Sequence, residues 1–123
     1  MNTTKVKEDT LFCDYYKTWI SIYKEGAIRP ITMRKYNTAH QWLEKLIPSL
    51  TIKDIDRVAY QQLLNDYAQT HERQTTMDFH HHIKCAILDA VDEGLISLDP
   101  TRKAIIKGKK PRAKKPKYLN QFE

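Results

Sequence analysis

Glycine is scarce in this chain, with three residues in 123, and no glycine-rich loop is present that could cradle a phosphate. This scarcity argues against a nucleotide-binding fold. Long apolar runs are missing as well, since none approaches the roughly 20 residues that a membrane-spanning helix needs. The first nine residues also lack the apolar core of a secretory signal. We therefore expect a globular protein of the cytoplasm with no membrane partner.

Cysteine is rare too, and both Cys13 and Cys85 fall within helical patterns. Two free thiols in a reducing compartment are the simplest interpretation. The consecutive histidines His80, His81 and His82 do not predict a metal site, because neighbouring helical residues point about 100° apart and cannot converge on one ion. We expect neither a metal nor a cofactor.

Acidic residues are missing from one stretch near the C-terminus. Residues 101–118 contain nine Lys/Arg and no acid, whereas residues 1–100 hold 12 Lys/Arg and 14 Asp/Glu. The net charge of +6 therefore comes from the C-terminal stretch and not from the globular part. A basic tail indicates a polyanionic partner, but by itself it does not separate DNA from RNA or from an anionic membrane.

Strand alternation is absent, and apolar residues instead recur at helical spacing. The first predicted helix runs from residue 9 or 10 to about residue 25, carries a wide aromatic stripe, and is followed by Gly26 as its cap. The second is predicted over residues 32–47, with Thr32 as the N-cap. Two amphipathic helices thus account for the first half of the chain.

Two more helices are predicted in the second half. Asp56 is placed to cap a third helix that runs through Tyr67. The fourth and longest helix begins near Thr75 and ends at Gly94, with apolar residues just beyond, as in a glycine-capped terminus. One more helical turn is expected from Asp99-Pro100 to about residue 106. The predicted fold is all-α: a compact four-helix bundle with a short extra C-terminal helical turn and a basic extended tail.

The start of the second helix carries side chains of the types that contact phosphates and base edges. Residues 29–41 include three basic residues and no acid, so they form a local positive patch on an otherwise acidic bundle. We therefore hypothesise that this helix contacts DNA directly and that the other helices hold it in position.

Four features follow one another in a distinctive order. The aromatic first helix is followed by Thr-x-x-x-Tyr (Thr32 to Tyr36), by a Leu-x-x-Ile-x-x-x-Asp-like connection ending at Asp56, and by Gly-Leu-Ile-x-x-x-Pro (Gly94 to Pro100) before the basic stretch. Over about residues 9–118 this order resembles the core-binding, SAM-like N-terminal domain of phage and transposon integrases of the tyrosine recombinase family. The order and spacing of these features together carry the resemblance.

The resemblance implies a division of the chain into four parts. Residues 1–8 would be a flexible N-terminus, 9–106 the core-binding domain, 107–118 a basic interdomain linker, and 119–123 the start of a catalytic domain that is absent. The nucleophilic tyrosine of the family belongs to that absent domain, so none of the seven tyrosines here is assigned its role. The chain is expected to be a non-catalytic fragment of a DNA-cleaving and rejoining enzyme.

The resemblance also implies the partners. They are double-stranded DNA carrying a core-type recombination site, which the domain clamps with helices in the major groove, and other recombinase protomers in the full-length complex. The isolated domain is expected to be a monomer in the bacterial cytoplasm. The candidate DNA-contacting residues lie on the second helix, on the fourth helix and in the linker: Arg29, Thr32, Arg34, Lys35, Thr38, Gln41, Gln74, Thr75, Thr76, His80, His81, Lys84, Lys109, Lys110, Arg112, Lys114 and Lys115.

Two other functions fit the composition. The net charge of −2 over residues 1–100 is compatible with a helical protein-interaction module whose basic tail serves solubility or localisation. A helix-turn-helix transcription regulator is the other, although the connection between the second and third helices is longer than the 3–4-residue turn of that motif.

Overall fold

The computed structural model describes residues 10–109. Its four helices are α1 (Phe12–Tyr23), α2 (Pro30–Leu46), α3 (Arg57–Ala68) and α4 (Arg73–Asp92), with a 3-10 turn at Ile52–Asp54 between α2 and α3. This confirms the predicted all-α, four-helix class. Within residues 10–109 no helix is long and apolar enough to cross a membrane.

Helix α1 supplies the centre of the core, as its aromatic stripe predicted. Tyr16 is fully buried and Trp19 is 4% exposed. The Tyr16 hydroxyl donates to the carbonyl oxygen of His82 at 2.9 Å, and Trp19 Nε1 donates to Asp89 Oδ2 at 2.6 Å. Because these two partners lie two turns apart on α4, α1 holds α4 in place over much of its length.

Helix α2 begins two residues earlier than predicted. Arg29 is the N-cap and makes no side-chain capping bond, Pro30 is the first helical residue, and Met33 N closes the first turn on Arg29 O at 2.9 Å. The prediction that Thr32 caps the helix is therefore wrong. Proline suits the first position because its fixed φ is already helical and its missing N–H has no partner to lose there.

The predicted helix ends at Asp56 and Gly94 are confirmed. Asp56 Oδ1 accepts from Ala59 N at 2.8 Å, which caps α3. After α4, Gly94 adopts a φ of +81°, and its N–H donates to Val91 O while Leu95 N donates to Ala90 O. This pair of bonds is a Schellman motif, which satisfies the last carbonyls of the helix. Gly26, after α1, likewise has a positive φ.

The expected extra helical turn after Asp99 is a hydrogen-bonded turn and not a helix. Thr101 N donates to Asp99 Oδ1 at 2.8 Å, and Lys103, with a φ of 58°, ends the turn. The chain then runs back along the bundle as a non-helical stretch of residues 104–109, the return segment. Its last residue, Lys109, pairs with Glu72 next to the start of α4.

Candidate nucleic-acid interface

Helix α2 and the first half of α4 border a groove of about 410 Å³, the α2–α4 groove. Its exposed lining includes Arg34 and Lys35, two of the basic residues predicted to contact DNA, and its floor is apolar and buried. The lining residues are Ile31, Arg34, Lys35, Thr38, Ala39, Tyr67, Thr75, Asp78, Phe79 and His82. Two segments that are far apart in the sequence thus build one surface.

The polar residues of α2 reach the groove because of helical spacing. Ile31, Arg34, Lys35 and Thr38 are separated by three or four positions and are all exposed, so they share one face of the helix. The opposite face carries residues such as Leu43, which is fully buried. Gln41 and Arg29 are exposed but do not line the groove, and Thr32 is half-buried.

Helix α4 contributes Thr75, Asp78 and His82, again at spacings of three and four. Gln74 is exposed and its Nε2 donates to Asp78 Oδ1 at 3.2 Å. Asp78 was not among the candidate DNA-contacting residues, although its position three residues after Thr75 is the signal that places it on this face. A carboxylate here can accept a hydrogen bond from the amino group of cytosine.

Two of the candidate residues on α4 are not on the surface. Thr76 is fully buried and donates from Oγ1 to Glu72 O at 3.0 Å, and His80 is 7% exposed. Thr76 lies about 100° and His80 about 140° around the helix from Thr75, and both are turned into the bundle. The structure therefore removes Thr76 and His80 from the predicted interface. His81 is exposed and Lys84 half-buried, and neither lines the groove.

Burial keeps two histidines of α4 neutral at pH 7. Burial lowers the pKa of His80 to about 4, helped by the charges of His81 and Lys84, so its imidazole is neutral at pH 7. Burial also lowers the pKa of His82, whose ring lies edge-on to Tyr36 with centroids 4.9 Å apart. The positive charge of the groove therefore comes from Arg34 and Lys35. Within residues 10–109, no three His, Cys, Asp or Glu side chains are grouped to hold a metal ion.

The linker candidates fall mostly outside the part of the chain that the structure describes. Lys110, Arg112, Lys114 and Lys115 lie beyond residue 109. Lys109 is exposed, and its backbone N–H donates to the carbonyl oxygen of His71 at 2.9 Å. Because the His71 ring stacks on Tyr67, which lines the α2–α4 groove, Lys109 is attached to the bundle near that groove.

Comparisons with known proteins identify relatives of this bundle through structure. No model of a protein family matches the chain, and no curated protein sequence matches it. The crystal structure of the N-terminal domain of prophage pi2 protein 01, an integrase from Lactococcus lactis, is similar with a TM-score of 0.77 and 31% identity, over 80% of this chain and 94% of that one. The solution structure of a phage integrase fragment from Staphylococcus saprophyticus is similar with a TM-score of 0.67 and 33% identity, over 76% of this chain and 86% of that one.

This degree of identity over most of both chains goes beyond a shared fold. It agrees with the resemblance that the order of sequence motifs suggested. The chain belongs to the family of phage integrase N-terminal domains.

Proposed function

We propose that the chain is the non-catalytic duplex-DNA-binding domain of a site-specific tyrosine recombinase and clamps a core-type recombination site for DNA integration. The observation that carries this proposal is the α2–α4 groove, where Arg34, Lys35, Thr38 and Thr75 share one exposed surface. The relatedness to phage integrase domains supports it.

The B-DNA major groove is about 12 Å wide and admits one α-helix. Helix α2 enters it with the face that carries Arg34, Lys35 and Thr38, and the two cations neutralise phosphates or reach the acceptors of guanine. Thr75 and Asp78 on α4 contact the adjacent backbone or base edges. Since residues 1–100 have a net charge of −2, most of the non-specific attraction comes from the basic stretch after residue 100. In this proposal the residues of the α2–α4 groove recognise the DNA sequence, and the linker supplies most of the affinity.

Five of the six tyrosines within residues 10–109 are buried, which does not suit a nucleophile, and the sixth, Tyr23, is exposed. A nucleophilic tyrosine has to reach a phosphate and lose its proton, whereas burial raises the pKa of five of the seven tyrosines here. These five are Tyr15, Tyr16, Tyr36, Tyr60 and Tyr67. Cleavage and rejoining then belong to a separate catalytic domain, and the synaptic complex contains further protomers. We propose that the isolated domain is a monomer that acts in the bacterial cytoplasm, and a tight dimer in a sedimentation experiment without DNA would contradict the monomer.

The test is an NMR titration of the chain with a duplex enriched from a random pool. The amides of residues 30–41 and those around Thr75 should shift. Arg34→Ala/Lys35→Ala should weaken binding strongly. A matched control, Lys53→Ala/Arg57→Ala, removes the same charge from residues that line a different cavity. Unshifted amides over residues 30–41, or equal losses in both double variants, would sink the proposal.

A helical protein-interaction module is the second candidate, and one exposed apolar surface favours it. Val58, Leu98 and Ile105 are 78%, 67% and 60% exposed, and Val58 lines one cavity with Leu98 and another with Ile105. A chain without affinity for any duplex, whose capture of a protein partner is lost on Val58→Ser/Leu98→Ser, would favour this function over DNA binding.

A further inference from the structure

Three exposed apolar side chains collect on one surface at the start of α3, the α3 patch. They are Val58, Leu98 and Ile105, and each is more than half exposed. Val58 lines a cavity of about 500 Å³ together with Leu98, and an adjoining cavity of about 430 Å³ together with Ile105. Single exposed apolar residues are common on protein surfaces, whereas a contiguous group of them marks an interaction site.

Val58 adds little to the stability of the domain. It is the second residue of α3, where a β-branched side chain is a weaker helix former than lysine or glutamine. Leu63 and Leu64, further along α3, are 1% exposed and supply contacts of the helix with the core. An exposed valine at this position is therefore better explained by a partner than by folding.

The backbone of the α3 patch is held in place before any partner binds. Gln61 of α3 donates from Nε2 to Ile105 O at 2.8 Å and accepts from Ile105 N at 2.9 Å through Oε1. Asp99 Oδ1 accepts from Thr101 N at 2.8 Å, and Thr101 is 2% exposed, so the turn after Leu98 is anchored to the bundle. A surface that is already ordered loses little conformational entropy on binding.

Basic side chains border the α3 patch. Lys53, Arg57 and Arg102 are exposed and line the larger cavity, and Arg57 also lines the smaller one. Within residues 10–109 none of the three forms an ion pair. The two carboxylates in the same lining, Asp56 and Asp99, each accept a hydrogen bond from a backbone N–H of their own turn. The long basic side chains are therefore the charges that are free to meet a partner.

The α3 patch lies away from the α2–α4 groove. Among residues 10–109, none lines both the groove and a cavity of the patch. Thr75 is in the first turn of α4 and Leu98 follows the other end of that helix, Asp92. At about 1.5 Å per residue, α4 separates Thr75 from Asp92 by about 26 Å. A partner on the patch therefore leaves the groove open.

From these features we propose that the α3 patch docks an acidic amphipathic helix of a protein partner. The smaller cavity follows α3 from Val58 to Asn65, a rise of about 10 Å, which equals the distance between apolar residues i and i+7 on a docked helix. Apolar residues of the partner fill the two cavities, and its carboxylates pair with Lys53, Arg57 and Arg102 at the rim. The docking needs no duplex and does not depend on the proposed function.

The probe is a displayed library of helical peptides with randomised surface positions, selected for binding to the full chain. Enriched peptides should carry apolar residues at i, i+4 and i+7 with Asp or Glu beside them. Their binding, measured by fluorescence anisotropy, should fall at least about tenfold in Val58→Ser/Leu98→Ser. The matched control, Ile22→Ser/Ile31→Ser, also removes two exposed apolar side chains, but neither lines the patch, so it should leave binding unchanged.

A charge swap tests the chemistry of the partner. Arg57→Glu/Arg102→Glu should weaken the binding of an enriched peptide about tenfold, and replacing the acidic residues of the peptide with lysine should restore it. The proposal is overturned by a selection without enrichment, by enriched peptides that lack acidic residues, or by equal losses in the apolar double variant and its control.

Other occupants of the α3 patch give different results. A wild-type chain that sediments as a dimer, beside a monomeric Val58→Ser/Leu98→Ser chain, would assign the patch to a second copy. Displacement of the peptide by a duplex of random sequence would assign the basic rim to phosphate contacts. Either result overturns the acidic partner. Failure of the wild-type chain to bind any duplex is a separate outcome, because it overturns the proposed function and leaves the peptide docking in place.

Discussion

The hydroxyl of Tyr60 and Nδ1 of His80 lie 2.6 Å apart in the interior between α3 and α4. Tyr60 is fully buried and His80 is 7% exposed, so neither group has ready access to water. Burial lowers the pKa of His80 to about 4, so its imidazole is neutral at pH 7 and shares a hydrogen bond with the Tyr60 hydroxyl. A residue that looked like a DNA contact in the sequence is instead part of the polar core.

This pair predicts that the domain loses stability in acid. Unfolded His80 takes up its proton near pH 6.5 but the folded residue only near pH 4, so the unfolded state binds more protons in between and stability falls as the pH falls through this window. At about 1.4 kcal/mol per pH unit, the loss is up to roughly 3 kcal/mol. The lowered pKa of His82 acts in the same direction.

Urea unfolding at neutral pH and near pH 4 measures this loss. His80→Gln should flatten the pH dependence, whereas the control His81→Gln changes an exposed neighbour and should keep it. The same pH dependence in both variants would contradict the assignment to His80.

The salt dependence of DNA binding should show how many linker cations contact phosphates. If about four linker cations contact phosphates, they contribute about −3.6 to the slope of log K against log salt, because about 0.9 counterions are released per contact. Lys114→Gln/Lys115→Gln should therefore reduce the slope by about 1.8. Anisotropy titrations over a range of salt concentrations measure it, and a slope unchanged by the two substitutions would exclude these lysines from the contact.

The Schellman motif at the end of α4 predicts that a substitution of Gly94 lowers stability through backbone conformation alone. Gly94 has a φ of +81°, and a Cβ added there would meet no atom within 4 Å. Gly94→Ala should lower the free energy of unfolding by about 1 kcal/mol, since an L side chain disfavours this backbone region. Chemical denaturation checks the value, and a loss of several kcal/mol would mean that the substitution disturbs packing as well.

The hydrogen bond between Trp19 and Asp89 predicts that the loss of the Asp89 carboxylate lowers the free energy of unfolding by more than Gly94→Ala does. Asp89→Ala leaves the buried Trp19 N–H without its acceptor, which should destabilise the domain by about 1–3 kcal/mol. The control Asp92→Ala removes an exposed carboxylate one turn later on α4 and should change stability by less than about 0.5 kcal/mol. Thermal unfolding of the two variants compares them, and similar melting temperatures would argue against a stabilising Trp19–Asp89 bond.

Much of the architecture follows from local physics that is readable in the sequence. Apolar periodicity predicts the four helices, the Asp56 carboxylate caps the turn that follows it, and Gly94 marks the end of α4 because a positive φ costs glycine little. The exposed face of α2 that carries Arg34 and Lys35 is likewise set by helical spacing. Each of these features depends on residues within one or two turns of one another.

Only the tertiary structure decided which polar residues of α4 face outward and what they lie beside. Thr75 meets α2 across the groove, while His80 is buried because its partner, Tyr60, sits on another helix. Residue 105 was expected to be helical, but its backbone bonds instead to the side chain of Gln61, which lies 44 positions away. The burial of a residue and its neighbours depend on contacts between segments that are distant in the sequence, and the local spacing of residues does not show which segments pair. The α2–α4 groove forms only when α2 and α4 pack together.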